Sequence, residues 1–309
     1  MRINIKVEIF DRRMESVIEP TAEAELYSDG FSFTEGPLWD GESRCFMFND
    51  IPSSTTYRWD PERGLAKAFE NGTKSNGMYL ARDGGLLVCE HATSSVVRRS
   101  ADGTSRRVLS DHWNGIELNS PNDIVERSDG KVYFSDPVFG RMTKPSSVPR
   151  PFPSEHRAVY MYDPATGKTS QVASGYVNPN GLCFSADESI LYVNDSDAYL
   201  INAYDVMPDG TLMNERLLAE VTGGEENHSP DGLKLDSMGN IVCAGQNGGI
   251  YWFDPDGIAL GIVHIDPVRV VNFCWGGDDG RTMLLTCADA VYGLHTLVSG
   301  SKYPGKTNI

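Results

Sequence analysis

The chain has 309 residues, enough for one large domain or two ordinary ones, and 40% apolar residues with 31 Gly and 17 Pro suit a globular protein rather than a disordered or collagenous one. A net charge of −16 argues against a nucleic-acid backbone or an anionic membrane surface as partner, and leaves small polar or neutral substrates and cations open. No apolar run nears the ~20 residues that span a bilayer. The opening MRINIKVEIFDRR has neither an apolar core nor a small-residue cleavage site, so a soluble, cytoplasmic protein is expected.

In chain order one pattern recurs: a short strand, a Gly- or Asp-rich turn and a second strand. Its copies are GPLWDGESRCFMFND (Gly36–Asp50), NGMYLARDGGLLVCEH (Asn76–His91), NDIVERSDGKVYFSDP (Asn122–Pro137), NGLCFSADESILYVNDS (Asn180–Ser196), DGLKLDSMGNIVCAG (Asp231–Gly245) and NFCWGGDDGRTMLLTCA (Asn272–Ala288). A third strand follows most copies, as in TYRWDP (Thr56–Pro61), VYMYDPATG (Val159–Gly167), INAYDVMPDG (Ile201–Gly210) and IYWFDPDG (Ile250–Gly257). A shorter apolar stretch such as LAKAFE (Leu65–Glu70) or TSQVAS (Thr169–Ser174) then precedes the next copy. Six copies at intervals of 40–58 residues predict an all-β, six-bladed β-propeller, with four-stranded antiparallel blades around a central channel. One domain over residues 1–309 is expected, with AELYSD (Ala24–Asp29) completing the last blade and closing the ring.

The six cysteines form no CxxC pair and each lies in or beside a strand-like run, so buried, reduced thiols are expected. The residues just before each first strand carry more information. In a propeller that strand lines the channel, and the residue before it lies at the channel mouth. Aligned there, the copies offer Glu35, Asn76, Asn122, Asn180, Asp231 and Asn272. Singly, Asn-Gly, Pro-Asn and Pro-Asp are ordinary turn chemistry. Together they are a ring of carboxylates and carboxamides, the ligand chemistry of a hard divalent cation.

Several segments resemble the SMP-30/gluconolactonase/luciferin-regenerating-enzyme family, in its bacterial gluconolactonase-like branch. They are TEGPLW (Thr34–Trp39), LNSPND (Leu118–Asp123) with FSDP (Phe134–Pro137), NPNGL (Asn178–Leu182), SPDGLKLD (Ser229–Asp236) and the approach HWNG (His112–Gly115). The resemblance implies a metal-dependent lactonase whose one divalent cation is held by Glu35, Asn122, Asn180 and Asp231, with Asn122 open to a substrate role instead. Ca²⁺ is the expected ion, and Mg²⁺, Mn²⁺, Zn²⁺ and Fe²⁺ stay open. Mammalian-type members carry an Arg two residues before the blade-three Asn. Here that place is Ser120, so that branch's substrate contacts do not carry over.

A second tier is expected where the second strands return to the mouth: Asp50, His91, Asp136, Asp195, Gln246 or Asn247, and Asp289. Candidate substrate contacts are Asn76, Asn119, Asp123, Trp113 and His228. The proline-rich stretch from Gly140 to Arg157, which carries Arg141, Lys144 and Arg150, reads as a pocket wall or a solvated insertion. A cation at this mouth would polarise a carbonyl while a carboxylate or His assists attack by water. Asp231 leads as general base. It is also a proposed ligand, which weakens a base, so His91 and Asp136 are candidates beside it. No GxSxG motif suggests a covalent route. Hydrolysis of sugar-acid lactones is the expected activity. A phosphotriesterase and a non-catalytic calcium-binding propeller are the alternatives.

Overall fold

The computed structural model describes residues 1–153, 155–221, 229–245 and 249–301. Six antiparallel sheets stand around one axis as the blades of a β-propeller. Blade one comprises Thr34–Asp40, Cys45–Asp50, Thr55–Asp60 and Gly64–Glu70; blade two comprises Ser75–Leu80, Leu86–Glu90, Ser95–Arg99 and Arg106–Ser110. Blade three is Ile124–Glu126, Val132–Asp136, Ala158–Asp163 and Lys168–Ser174; blade four is Pro179–Phe184, Ile190–Asp195, Leu200–Val206 and Leu212–Glu220. Blades five and six begin at Pro230–Leu235 and Val270–Gly276.

Burial follows distance from the axis. All seven residues of Thr34–Asp40 are buried, whereas none of the outermost Gly64–Glu70 is. Inner strands face the channel on one edge and neighbouring blades on both faces, so they show apolar runs rather than alternation. Between blades the packing is aromatic. Trp39, Phe46 and Phe48 share a core with Leu284 and Val291 of blade six, and Tyr133 meets Phe184 edge-on at 5.1 Å. All six cysteines are buried free thiols.

The first 29 residues bind the two ends of the chain. Glu23–Asp29 pairs with Ala290–His295 and becomes the fourth strand of blade six. Arg2–Asn4 adds to its edge, and Lys6–Ile9 adds to Ala259–His264 in blade five, so both blades are five-stranded. The intervening 3₁₀ turn, Arg12–Ser16, is capped by Asp11, and Met14, Val17 and Ile18 have no exposed surface. These two extra edge strands do carry a sequence signal, since Ile3, Ile5, Val7 and Ile9 alternate with polar residues at strand period, although the repeat of six hairpins does not include them. Among the described residues no helix is long and apolar enough to cross a membrane.

Candidate metal centre and active site

The channel-mouth residues sit at bulges, not turns. First and second strands slip register between Glu35 and Leu38, Ser75 and Met78, Pro179 and Leu182, Pro230 and Leu233, and Val270 and Asn272. A bulge bends its strand and re-aims side chains. Glu35, Asn76, Asn180 and Asp231 all lie in such slips. In blade three the regular strand begins later, at Ile124, and Asn122 is fixed by its N–H donating to Ser135 O at 2.9 Å.

The glycine after four of these residues has a cause that turn chemistry does not supply. A Cβ on Gly36 would stand 2.1 Å from Asn76 O, on Gly77 2.3 Å from Asn122 O, and on Gly181 2.2 Å from Asp231 O. On Gly232 it would lie 2.0 Å from Asn272 Oδ1. Each glycine lets the next blade bring its own mouth residue close. Only Gly36 also has a left-handed φ, of 60°. Side chains of the second strands hold the same carbonyls: Asn49 Nδ2 donates to Asn76 O at 2.7 Å, and Asn194 Nδ2 to Asp231 O at 2.6 Å.

A cavity of about 380 Å³ opens over this ring. Glu35, Asn76, His91, Asn122, Asn180 and Asp231 line it, and Phe139, Lys144, Pro145 and Ser146 of the long loop form one wall. Ser32, Phe33, Ile51, Asp197, Ser229 and Arg269 complete it. Apart from Lys144, the wall residues were not singled out from sequence. Ser32, Ser229 and Arg269 each lie two or three positions before a ring residue, a spacing that would have found them.

Inside the ring, the amides divide by what they donate to. Asn272 Nδ2 donates to Glu35 Oε2 at 3.0 Å while its Oδ1 accepts from Phe273 N at 2.9 Å. Asn76 Nδ2 donates to Asn122 Oδ1. Asn180 Nδ2 donates to Ser196 Oγ at 2.9 Å, which leaves its oxygen uncommitted to that contact. Glu35 is 4% exposed. Burial and the facing Asp231 push its carboxyl well above the usual range, against the opposing effect of Gly36 N at 2.6 Å and Asn272. Two carboxylates brought this close in a buried site disfavour their charged forms unless a cation or a proton is shared between them. Among the described residues no three His, Cys, Asp or Glu side chains converge to hold a metal; the donor set here is two carboxylates and amide oxygens.

The strand-end carboxylates turn away from the cavity. Asp136 accepts from Asn119 N and Ser120 N, both at 2.8 Å, and clamps the loop that leads to Asn122. Its burial pushes its pKa up to about 7. Asp50 grips Ser32 N and Phe33 N in the same way, and Asp195 grips Val177 N and Asn178 N. His91 occupies the matching place in blade two and alone among these faces the cavity, with Nε2 3.1 Å from Asn76 Nδ2.

Among the described residues, Asn76 is the one candidate substrate contact that lines the cavity. Asn119 donates from Nδ2 to His156 O at 3.0 Å, and its own carbonyl accepts from Arg141 and Ser94. Asp123 lies within the channel, paired with Lys234 Nζ at 3.2 Å across to blade five. Trp113 packs on Tyr160, 5.7 Å between ring centres, in a short hairpin of His112–Trp113 with Ile116–Glu117. His228, Gln246 and Asn247 lie outside the described residues. Arg141 and Arg150 do not reach the cavity. Arg141 bonds Leu118 O and Ser94 Oγ and pairs with Glu117, while Arg150 donates to His91 O, so both pin the loop down.

Comparison with known proteins fits this arrangement. The gluconolactonase of Zymomonas mobilis is 28% identical over 96% of this chain and 87% of its own. A pentonolactonase of Haloferax volcanii is 27% identical over 82% of this chain and 81% of its own. The solved structure of a Xanthomonas campestris gluconolactonase superposes with a TM-score of 0.86 at 25% identity, over 96% of this chain and 97% of that one. Residues 33–289 match the family described as the SMP-30/Gluconolactonase/LRE-like region. That span takes in blades one to four whole, most of blade five, the first two strands of blade six and all six ring residues, and the chain belongs to this family.

Proposed function

We propose that the chain is a metal-dependent hydrolase of sugar-acid lactones, with one divalent cation held by Glu35, Asn122, Asn180 and Asp231. The observation that carries this reading is the floor of the cavity, where Glu35 and Asp231 face each other and neighbouring amides donate toward the oxygens of the set. The two ring amides outside the set, Asn76 and Asn272, are the ones that donate to Asn122 and Glu35. Such supporting donors hold ligand oxygens in place. An all-oxygen set suits Ca²⁺ and other hard ions better than soft ones. The lactonase names of the relatives supply the substrate class.

The bound ion would supply the positive charge that polarises the lactone carbonyl and stabilises the developing oxyanion. Asp231 lines the cavity, and beside its proposed ligand role it would take the proton of the attacking water. Asp136 has both oxygens committed to backbone amides. Lys144 and Arg269 at the rim offer positive charge to the carboxylate product. The leaving alcohol stays tethered in the product, so no covalent nucleophile is required.

pH-stat hydrolysis of gluconolactone and pentonolactones, before and after chelation and with single metals restored, tests the reading. Turnover that disappears with chelator, returns with one metal and is lost in Asp231→Ala is expected. Full activity in a folded Asp231→Ala variant, or turnover indifferent to chelation, overturns it. Phosphotriester hydrolysis in place of lactone hydrolysis would move the chain to the alternative chemistry.

A further inference from the structure

Ser146 in the long loop, His91, Asn76 and Asn122 form one hydrogen-bonded line. A carbonyl only accepts, so the 3.1 Å contact between His91 Nδ1 and Ser146 O requires the proton on Nδ1. The neutral ring then presents a bare Nε2 to Asn76 Nδ2, 3.1 Å away. Burial, with Arg150 and Lys74 nearby, lowers the His91 pKa to about 4, in keeping with a neutral ring. The second hydrogen of Asn76 Nδ2 goes to Asn122 Oδ1. Both amide hydrogens are used, and turning the amide over would set its oxygen against two acceptors. Asn76 Oδ1 is therefore fixed in place, buried, with no partner among the described residues, on a residue that lines the cavity.

We propose that His91 is a positioning residue rather than a proton carrier: it locks the Asn76 carboxamide so that Asn76 Oδ1 accepts a hydrogen bond from a hydroxyl of a polyhydroxylated lactone. This rests on the lactonase reading and adds the group through which the substrate is recognised. A buried acceptor without a partner is unfavourable, and a substrate hydroxyl relieves it where a deoxy analogue does not. Ser146 contributes by holding the imidazole tautomer, which ties the long loop to the orientation of Asn76.

The test compares kcat/KM for gluconolactone and its monodeoxy analogues in the metal-loaded wild type, His91→Gln and His91→Leu, with Ca²⁺ affinity by calorimetry. Wild type is expected to turn over one monodeoxy lactone at least about a hundredfold less efficiently than the parent. His91→Gln keeps an acceptor for Asn76 Nδ2, so it retains activity within about fivefold and keeps that discrimination, whereas proton transfer by His91 would make the same variant lose ~10²–10⁴. A loss of that size overturns the proposal. His91→Leu is expected to lose tenfold or more on the parent and little on the deoxy analogue. If it does not fold, the glutamine variant still decides. Equal wild-type rates on every monodeoxy analogue overturn the proposal, as does a tenfold loss of Ca²⁺ affinity in His91→Leu, which would assign Asn76 Oδ1 to the ion. Absence of any lactone turnover by wild type refutes the lactonase reading itself.

Discussion

Gly77→Ala separates a close-approach glycine from a turn glycine. Gly77 does not have a left-handed φ, so alanine brings no backbone strain there. Its Cβ would stand 2.3 Å from Asn122 O and 2.8 Å from Asp123 Cα, where ordinary contact begins at 3.4 Å. Both are backbone atoms, and Asn122 O is also held by Gly77 N at 2.8 Å, so blade three cannot retreat without stretching that bond. Overpacking costs ~1–3 kcal/mol and a weakened hydrogen bond about 1 kcal/mol more. The sum, about 2–4 kcal/mol, corresponds to a fall in Tm of roughly 4–8 °C for a chain of this length. Gly30→Ala is the comparison. Its φ is +88° with nothing within 4 Å, so alanine costs ~1–2 kcal/mol of backbone strain and leaves the cavity alone. Thermal unfolding and Ca²⁺ titration are read together. Gly77→Ala is expected to lower both stability and ion affinity, because Asn122 is the residue displaced, and Gly30→Ala to lower stability alone. A Gly77→Ala protein that melts within about 1 °C of wild type with unchanged affinity refutes the close-approach argument.

Asp136 titrates near 7 when folded, against ~3.9 for an unfolded aspartate. The native state therefore binds the extra proton between those values, and stability falls as pH rises from about 4 to 7. Asp136→Asn should flatten that segment of the urea-midpoint profile in chelated protein, and an unchanged slope would show that Asp136 is not the group responsible. Lys234→Met strands Asp123, whose side chain is 6% exposed. Breaking this pair, discounted for the 25% exposure of Lys234, costs about 2–3 kcal/mol. Adding Asp123→Asn should recover more than half, and no recovery in the thermal melt would place the loss elsewhere. Arg141→Ala removes the anchors to Leu118 O, Ser94 Oγ and Glu117. Limited proteolysis within residues 142–153 should then accelerate, and an unchanged cleavage rate would mean that Arg150 and Lys74 suffice to hold the loop.

Blade number was legible because it rests on local chemistry repeated six times: two short strand-like runs joined by a Gly- or Asp-rich turn, with a polar residue before each inner strand. Direction was not legible. At the end of the second strand, Asp50, Asp136 and Asp195 read like His91, as polar groups returning to the mouth. A carboxylate has two acceptor oxygens and can take two successive N–H groups from the loop beside it, so these three turn outward. A neutral imidazole has one acceptor nitrogen and cannot clamp a loop that way, so His91 is left facing the cavity. Asn119, Asp123 and Trp113 share a segment with Asn122 but diverge from it, because the strand pleat and the loop clamp send adjacent side chains to different places. The glycines show a related limit. Asn-Gly is a turn signal within its own strand, while the atom that requires Gly77 belongs to Asn122 in the next blade.

The channel's charges add a constraint that no single residue carries. Glu35, Asp231 and Asp123 enter it from blades one, five and three, and Lys234 supplies one positive charge, spent on Asp123. Glu35 and Asp231 are the two carboxylates proposed as ligands at the mouth, and together they match the charge of one divalent ion. The glycine contacts register four of the six mouth residues, Asn76, Asn122, Asp231 and Asn272, each against the blade before it. Ion affinity and blade packing should therefore fail together under substitution at Gly77, Gly181 or Gly232, whereas outer-strand changes should alter stability without altering the ion site. A substitution in the outermost strand of any blade that changes Ca²⁺ affinity as much as Gly77→Ala does would show that the ring takes its geometry from the blades' outer edges rather than from these inner contacts.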